Sequence, residues 1–381
     1  MRPQTRRRIP LATRAAILSA LVISVALPIS RQSVAQTPAQ QEPEKLPAEK
    51  VFKNIQALNG MPAGDLLGAM SFIASSLNVD CDYCHRQAFE GDTVPAKRRG
   101  RDMILMVRKI NQDNFQGLNA VTCFTCHNGG AKPARSATSV LSSAPRPPVP
   151  AQNTQTETFP SVQEILGHYV QALGGQTALD RVKTRVFKTA RLHEKNPSAP
   201  TEWYQESPNK VLAYRSSEGY TTWVGFDGRR AWAEDNEKSY WGILSTKDRN
   251  QIMRDSELYA GSRLGTQYEK VETVGKEKIG DRDTFVVAGT SPEGQKEKFF
   301  FDAQTGLLLR REIREQTVLG FLPVQADFSD YRDVDGVKIP FVVQWSSAGG
   351  AWGVRVSSKI IEIHQNVPID DQKFDHPTPQ K

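Results

Sequence analysis

The 381-residue sequence predicts a multidomain chain, a small, mostly α-helical domain followed by an antiparallel, β-sheet-rich α+β domain. Three observations predict it. Between residues 51 and 132, apolar residues recur at helical spacing and every cysteine of the chain is found. Residues 133–158 then carry five prolines among Ala, Ser and Thr with no aromatic side chain, the composition of an extended linker. From residue 159, after one leading helix, the hydrophobic period drops to two and turn dipeptides punctuate it. Hydrophobic residues at 38% and charged residues at 24% exclude a disordered or collagen-like chain.

The formal net charge of +7 is not spread evenly. Arg2, Arg6, Arg7, Arg8, Arg14 and Arg31 lie in residues 1–35, which hold no Asp, Glu or Lys, so the rest of the chain carries only +1. That balance argues against a nucleic-acid partner. An arginine-rich start, an apolar stretch from Ala15 to Ile29 and the small residues Ser33-Val34-Ala35 read together as a signal peptide over residues 1–35. The stretch is shorter than the ~20 apolar residues of a membrane span. An uncleaved signal-anchor is the alternative, and membrane association through it or through a partner stays open. The expected location is the periplasm or the periplasmic face of the membrane. Residues 36–50, polar and proline-bearing, are expected to form a disordered lead-in.

In the domain assigned to residues 51–132, Leu66, Met70, Ile73 and Leu77 form an apolar stripe on a helix expected to start near Pro62. Met103, Met106, Val107 and Ile110 do the same on a helix expected from about Arg98 to Gln112. Past the 133–158 linker, the domain of residues 159–381 opens on Ser161 and Glu164, a capping-box pair, and the stripe it starts ends at Gly174-Gly175. Strands are expected at 222–226, 284–288, 298–301, 307–309, 337–343 and 352–356, with a second helix near 246–259. Asp227-Gly228 and Asp335-Gly336 are hairpin signals, because glycine accepts the positive φ those turns need; Thr305-Gly306 is a weaker one. All six tryptophans lie in this half and are read as filling a large β core.

The chemistry is in the cysteines. All four fall in two identical patterns, Cys81-Asp-Tyr-Cys84-His85 and Cys123-Phe-Thr-Cys126-His127. C-x-x-C-H is the attachment signature of c-type haem. Two cysteines three apart form thioethers to the two vinyl groups on one porphyrin edge, and the next residue presents an imidazole to the iron. A disulfide framework needs no histidine after each pair, and two separate Cys-Cys-His sets fit zinc poorly. The pattern therefore predicts two covalently bound haem c groups, with His85 and His127 as iron ligands. The four remaining histidines lie beyond the linker, so methionine is the candidate for the sixth iron position. Met61 and Met106 are read as core-filling; Met70 and Met103, each on the apolar face of a helix before an attachment motif, are read as ligands. The basic cluster Lys97-Arg98-Arg99-Arg101 is open to two readings, pairing with haem propionates or an acidic redox partner, or a solvated first turn.

Three runs resemble the photosynthetic reaction-centre cytochrome c subunit and its relatives: Val51-Phe-Lys-Asn-Ile-Gln-Ala-Leu-Asn-Gly-Met-Pro, Arg101-Asp-Met-Ile-Leu-Met-Val-Arg-Lys-Ile-Asn and Val121-Thr-Cys-Phe-Thr-Cys-His. The resemblance covers about residues 51–130. It implies that each motif follows the helix bearing its axial methionine. Met70 would then serve the haem on Cys81, Cys84 and His85, and Met103 the haem on Cys123, Cys126 and His127. It also implies the role of re-reducing a photo-oxidised primary donor. The family's familiar members carry four haems in two such halves and this chain has one half; Asn128 stands where the family tends to have arginine. Residues 160–381 faintly resemble the curved antiparallel sheets of lipoprotein-carrier proteins.

The expected function is that of an exported dihaem cytochrome, not an enzyme, passing single electrons between periplasmic redox proteins, with a photosynthetic reaction centre as the partner the resemblance implies. The alternatives are a haem enzyme such as a peroxidase, or a gas sensor, with one open iron, and a β-domain that binds an apolar ligand and carries accessory haems.

Overall fold

The computed structural model describes residues 42–86, 89–133, 158–192, 200–217, 219–236, 244–347 and 356–376. The signal peptide expected over 1–35 and nearly all of the 133–158 linker lie outside these residues, as do His193, Trp241 and Trp352. In the helical segment, α1 (Ala48–Val51) lies between short 3-10 turns at Pro43–Lys45 and Ala63–Asp65. It is followed by α2 (Leu66–Leu77), α3 (Pro95–Phe115) and α4 (Cys123–His127). Asn78 ends α2 and Gln116 ends α3, each in the left-handed conformation that stops a helix. No helix among the described residues is long and apolar enough to cross a membrane.

Then come α5 (Val162–Leu173), α6 (Gln176–Arg181) and the strands β1 (Thr184–Arg191), β2 (Thr201–Glu206), β3 (Lys210–Ser217), β4 (Tyr220–Phe226) and β5 (Ala231–Asp235). Helices α7 (Thr246–Asp255) and α8 (Leu264–Gln267) precede β6 (Lys270–Ile279), β7 (Arg282–Thr290), β8 (Lys296–Asp302), β9 (Leu308–Thr317), β10 (Gly320–Val334), β11 (Val337–Ser347) and β12 (Val356–Gln365). The strands form one twelve-stranded sheet in the order β5-β4-β3-β2-β1-β12-β11-β10-β9-β8-β7-β6. It consists of two meanders joined where β1 pairs antiparallel with β12, with Val186 opposite His364. The expected fold class, a helical segment followed by a large antiparallel sheet, is what the chain adopts.

Local chemistry explains the elements that were foreseen. Ser161 accepts from the Glu164 amide at 3.2 Å while Glu164 accepts from the Ser161 amide at 2.7 Å, so α5 starts where the capping box predicts. Asp335 and Gly336, with φ of 54° and 84°, make the β10–β11 turn. Ile165, Tyr169 and Leu173 of α5 are buried against Val287, Phe299, Phe301, Leu308 and Val337 of the sheet, which is the main core. Helix α7 is joined to the sheet by ions: Arg311 of β9 donates to Glu297 of β8 at 2.7 Å and to Asp255 of α7 at 2.7 Å. Of the described tryptophans, Trp232 is buried as expected, whereas Trp345 stands exposed.

Two expectations are corrected. The lead-in is ordered from residue 42: Glu44 is buried and pairs with Arg249 of α7 at 2.5 Å, and the Ala48 amide donates to the Met61 carbonyl at 2.7 Å. Contacts made far along the chain order a segment whose composition alone would leave it loose. Nor does the helical segment stand apart, since residues 41–381 form one unit. The tip of the β9–β10 hairpin reaches into it. Leu319 packs on the cluster of Ala57, Leu58 and Met61, and the Val318 carbonyl accepts from Asn119 at 2.9 Å. Gly320, at φ 153°, leaves room for Phe72, whose ring would stand 2.6 Å from any Cβ there.

The same interface holds a carboxyl group that titrates in the neutral range. Glu315 of β9 faces Gly68 of α2; burial first, and the nearby Asp248 second, push it from the usual 4.5 up to about 7. Because the folded pKa exceeds the unfolded one, the native state holds the extra proton between about 4.5 and 7, and stability falls as pH rises through that window. Chemical unfolding at pH 5 and pH 8 is expected to show that fall in the unaltered chain and a flatter profile in Glu315→Gln.

Candidate functional site

Each Cys-x-x-Cys-His motif sits on a single turn of helix, which is what places its three side chains on one side. In the first, Cys81–Tyr83 form a 3-10 turn, and the His85 amide donates back to the Cys81 carbonyl at 2.9 Å. In the second, α4 is the motif itself. The Thr122 amide donates to Thr125 Oγ1 at 3.0 Å at its start, and Asn128 ends it at φ 46°. The left-handed conformation is one that asparagine tolerates well. None of the four cysteines is paired in a disulfide. Burial raises the thiol pKa at Cys81, Cys84 and Cys123.

The histidines are held alike. His85 Nδ1 lies 3.2 Å from the Phe89 carbonyl and His127 Nδ1 lies 2.9 Å from the Gly130 carbonyl. A carbonyl oxygen can only accept, so in each case the Nδ1 atom carries the proton and the Nε2 lone pair is left for a metal. Burial, then the charge of Lys97, lowers the pKa of His85 and favours the neutral, ligating form.

The two motifs are supported independently. Around the first, Lys97 donates to the Phe89 and Gly91 carbonyls at 2.7 and 2.8 Å, and Arg101 pairs with Asp92 at 2.8 Å. That pairing and a hydrogen bond from Asn54 hold the Asp92 carboxyl well below the usual range. The basic cluster therefore divides: Lys97 and Arg101 turn inward to build the loop, and Arg98 and Arg99 remain exposed. Around the second, buried Asn111 donates to the Val121 carbonyl at 2.7 Å and accepts from the Val121 amide at 2.9 Å. The Gly129 amide is bonded to the Ser76 carbonyl of α2 at 3.0 Å.

The helices that carry the candidate methionines turn only part of their apolar surface inward. On α2 the buried side is Ala69, Phe72 and Ser76, while Met70 and Ile73 lie half-buried against the small core of Ala57, Leu58 and Met61. On α3 the buried positions are Ile104 and Asn111; Met103 and Met106 are each 43% exposed. Met61 is a core residue, as expected, and Met106 is not. Helix α2 packs on α4, and the first turn of α3 holds the loop after the first motif. Helix α2, which bears Met70, thus packs against the second motif, and α3, which bears Met103, touches both.

Eight of the fifteen large apolar side chains that stand exposed among the described residues fall between residues 83 and 124. They include Tyr83, Phe89, Phe115 and Phe124, which flank the motifs. A soluble surface rarely leaves so much apolar area together without something to cover it. A cleft of about 430 Å³ beside the first motif is lined by Tyr83, Arg86 and residues 93–96 at the start of α3. Paired cysteines, an imidazole with Nε2 left for a metal, two thioether sulfurs and uncovered apolar surface are the donor set and surroundings that a c-type haem requires. The residues present fit the group.

The candidate cysteines and histidines are legible in the sequence, whereas what holds them is not. The Phe89 and Gly130 carbonyls are backbone groups and carry no residue signal. Asn111, a polar residue on the same helical face as Ile104, was the one legible hint.

The comparisons agree with the resemblance read from the sequence. The model of the family described as Photosynthetic reaction centre cytochrome C subunit matches residues 22–183. The Photosynthetic reaction center cytochrome c subunit of Rubrivivax gelatinosus is 31% identical over 110 residues, which are 26% of this chain and 30% of that protein. The chain thus matches under a third of that relative's length. Among solved structures the chain is similar to a LolA superfamily protein from Nitrosomonas europaea, at 14% identity over 57% of this chain and 99% of that one, with a TM-score of 0.41. A DUF1329 family protein from Desulfovibrio piger is similar at 12% identity over 56% and 97%, with a TM-score of 0.40. A reaction-centre cytochrome c match over residues 22–183 contains both attachment motifs and both candidate methionines.

Proposed function

We propose that this chain is an exported dihaem c-type cytochrome that passes single electrons between periplasmic redox partners and is not an enzyme. The observation that carries the reading is the pair of Cys-x-x-Cys-His turns, each with its histidine Nδ1 hydrogen-bonded to a carbonyl. Cys81 and Cys84 would hold one haem and Cys123 and Cys126 the other, with His85 and His127 on the irons. Met70 and Met103 would supply the sixth ligands, paired with the motifs in chain order. When bound, each haem supplies an iron that takes up and gives back one electron.

The protein's own residues do the rest. The Phe89 and Gly130 carbonyls keep the imidazole protons on Nδ1. The apolar side chains exposed between residues 83 and 124 would shield the cofactor's faces from water. Thioether sulfur favours the reduced iron and raises the potential. Export rests on the signal pattern of residues 1–35, and it fits the attachment chemistry, which takes place outside the cytoplasm. The likeness to the reaction-centre cytochromes makes a photo-oxidised primary donor the first candidate electron acceptor.

The reduced protein, exposed to carbon monoxide, is expected to keep its absorption spectrum, because Met70 and Met103 would occupy the positions the gas needs. Prompt binding of the gas at one haem would remove Met70 or Met103 as a ligand and point to catalysis or gas sensing.

A further inference from the structure

The two motifs are built alike at the histidine and differently one bond further out. The Phe89 carbonyl that accepts from His85 Nδ1 at 3.2 Å also accepts from Lys97 Nζ at 2.7 Å. Lys97 is held in that place by its second bond, to the Gly91 carbonyl at 2.8 Å, and its side chain is only 11% exposed. Asp92 lies 3.5 Å from the same ammonium but is bound more closely by Arg101, at 2.8 Å. Lys97 and Arg101 of α3 with Asp92 together carry one net positive charge beside His85, and the loop's Arg86 and Glu90 oppose each other in charge. At the second motif the Gly130 carbonyl receives His127 Nδ1 at 2.9 Å, and no side chain of the described residues is seen donating to it.

Resting on the reading that His85 and His127 each ligate a haem iron, we propose that Lys97 is a positioning residue that separates the two haems in reduction potential. The haem at Cys81, Cys84 and His85 is the more easily reduced. Two effects act in the same direction. An ammonium drawing on the Phe89 oxygen leaves less of its lone-pair density for the imidazole N–H, so His85 is a poorer electron donor to iron than His127. The fixed positive charge also favours whichever iron state carries one positive charge fewer. An electron shared between the two haems collects on the first.

The test is a potentiometric titration of the full chain, unaltered and as Lys97→Gln and Lys97→Arg, with the haem content of each preparation measured first. Glutamine keeps an amide donor for the two carbonyls and removes the charge; arginine keeps the charge. The unaltered chain should show two resolved waves. In Lys97→Gln the higher wave should move about tenfold in its reduction equilibrium toward the oxidised form, which is about 59 mV for a one-electron couple. The lower wave should stay, and Lys97→Arg should leave both in place. Coincident waves in the unaltered chain, a higher wave that does not move, a shift of the lower wave or of both together, or a Lys97→Arg shift equal to that of Lys97→Gln would each overturn the proposal. So would a Lys97→Gln preparation with fewer haems than the unaltered chain, since Lys97 would then merely hold the loop. An unaltered chain without haem overturns the underlying reading and this one with it; two haems with unmoved potentials overturn this one alone.

Discussion

Replacing Cys81 and Cys84 together by alanine is expected to leave one covalent haem where the unaltered chain carries two, halving the haem absorbance per chain. The second haem survives because its motif is built from other contacts. Helix α4 is tied to Asn111 of α3 and Ser76 of α2, and the loop after the first motif is tied to Lys97, Arg101 and Asn54. The matching pair, Cys123→Ala with Cys126→Ala, should remove the other haem and spare the first. Two thioethers fix each cofactor, so a histidine and a methionine alone would leave it free to dissociate. Haem stained on a denaturing gel, scaled to protein, reads the result. Loss of both haems from either double variant would mean that the motifs form one interdependent site.

The largest effect on stability is expected from Glu297→Ala. The Glu297 carboxylate is completely buried and receives Arg311 at 2.7 Å, with Gln295 at 3.4 Å and Arg254 at 3.9 Å. Arg311 and Arg254 are themselves nearly buried, and their guanidinium groups lie over the Phe299 and Tyr268 rings. Removing the anion takes from Arg311 its buried partner and leaves Arg254 to Glu293 alone, at 2.8 Å. Breaking a buried pair in this way costs about 3–5 kcal/mol. Asp255 remains on Arg311 and keeps the loss toward the lower end of that range. The double change Glu297→Met with Arg311→Met removes both charges and should cost much less, since apolar replacements of buried pairs are often close to neutral. Urea unfolding followed by circular dichroism distinguishes them. Equal losses in the two variants would show that packing, not charge, holds α7 to the sheet.

The parts of the molecule legible in the sequence are those whose cause is local. The Ser161–Glu164 box, the Asp335-Gly336 turn and the five-residue attachment motifs each contain their own physical reason. Strand β1 does not. Thr184-Arg-Val-Phe-Lys-Thr-Ala-Arg191 carries no clean alternation, and its partners on one side are residues 358–365 of β12, near the other end of the chain. Residues 42–50 are tied both to nearby backbone, at Met61 and Ala63, and to Arg249, some two hundred residues away. At the site, the sequence makes Met106 core-filling and Met103 a ligand on one apolar stripe, and the structure leaves both residues exposed to the surface. Amphipathic spacing tells which side of a helix avoids water; it does not tell whether protein or cofactor covers it. The inward turn of Lys97 and Arg101 was hidden for a related reason, because their partners are the carbonyls and the carboxylate of a loop shaped by the motif itself.

The most direct test of the account is the haem content of the unaltered chain, made in a host that attaches c-type haem to exported proteins. The alkaline pyridine spectrum, taken against protein concentration, should give two haem c groups per chain that acidified acetone does not extract. Protein that emerges without haem, or whose haem is extracted, would contradict it.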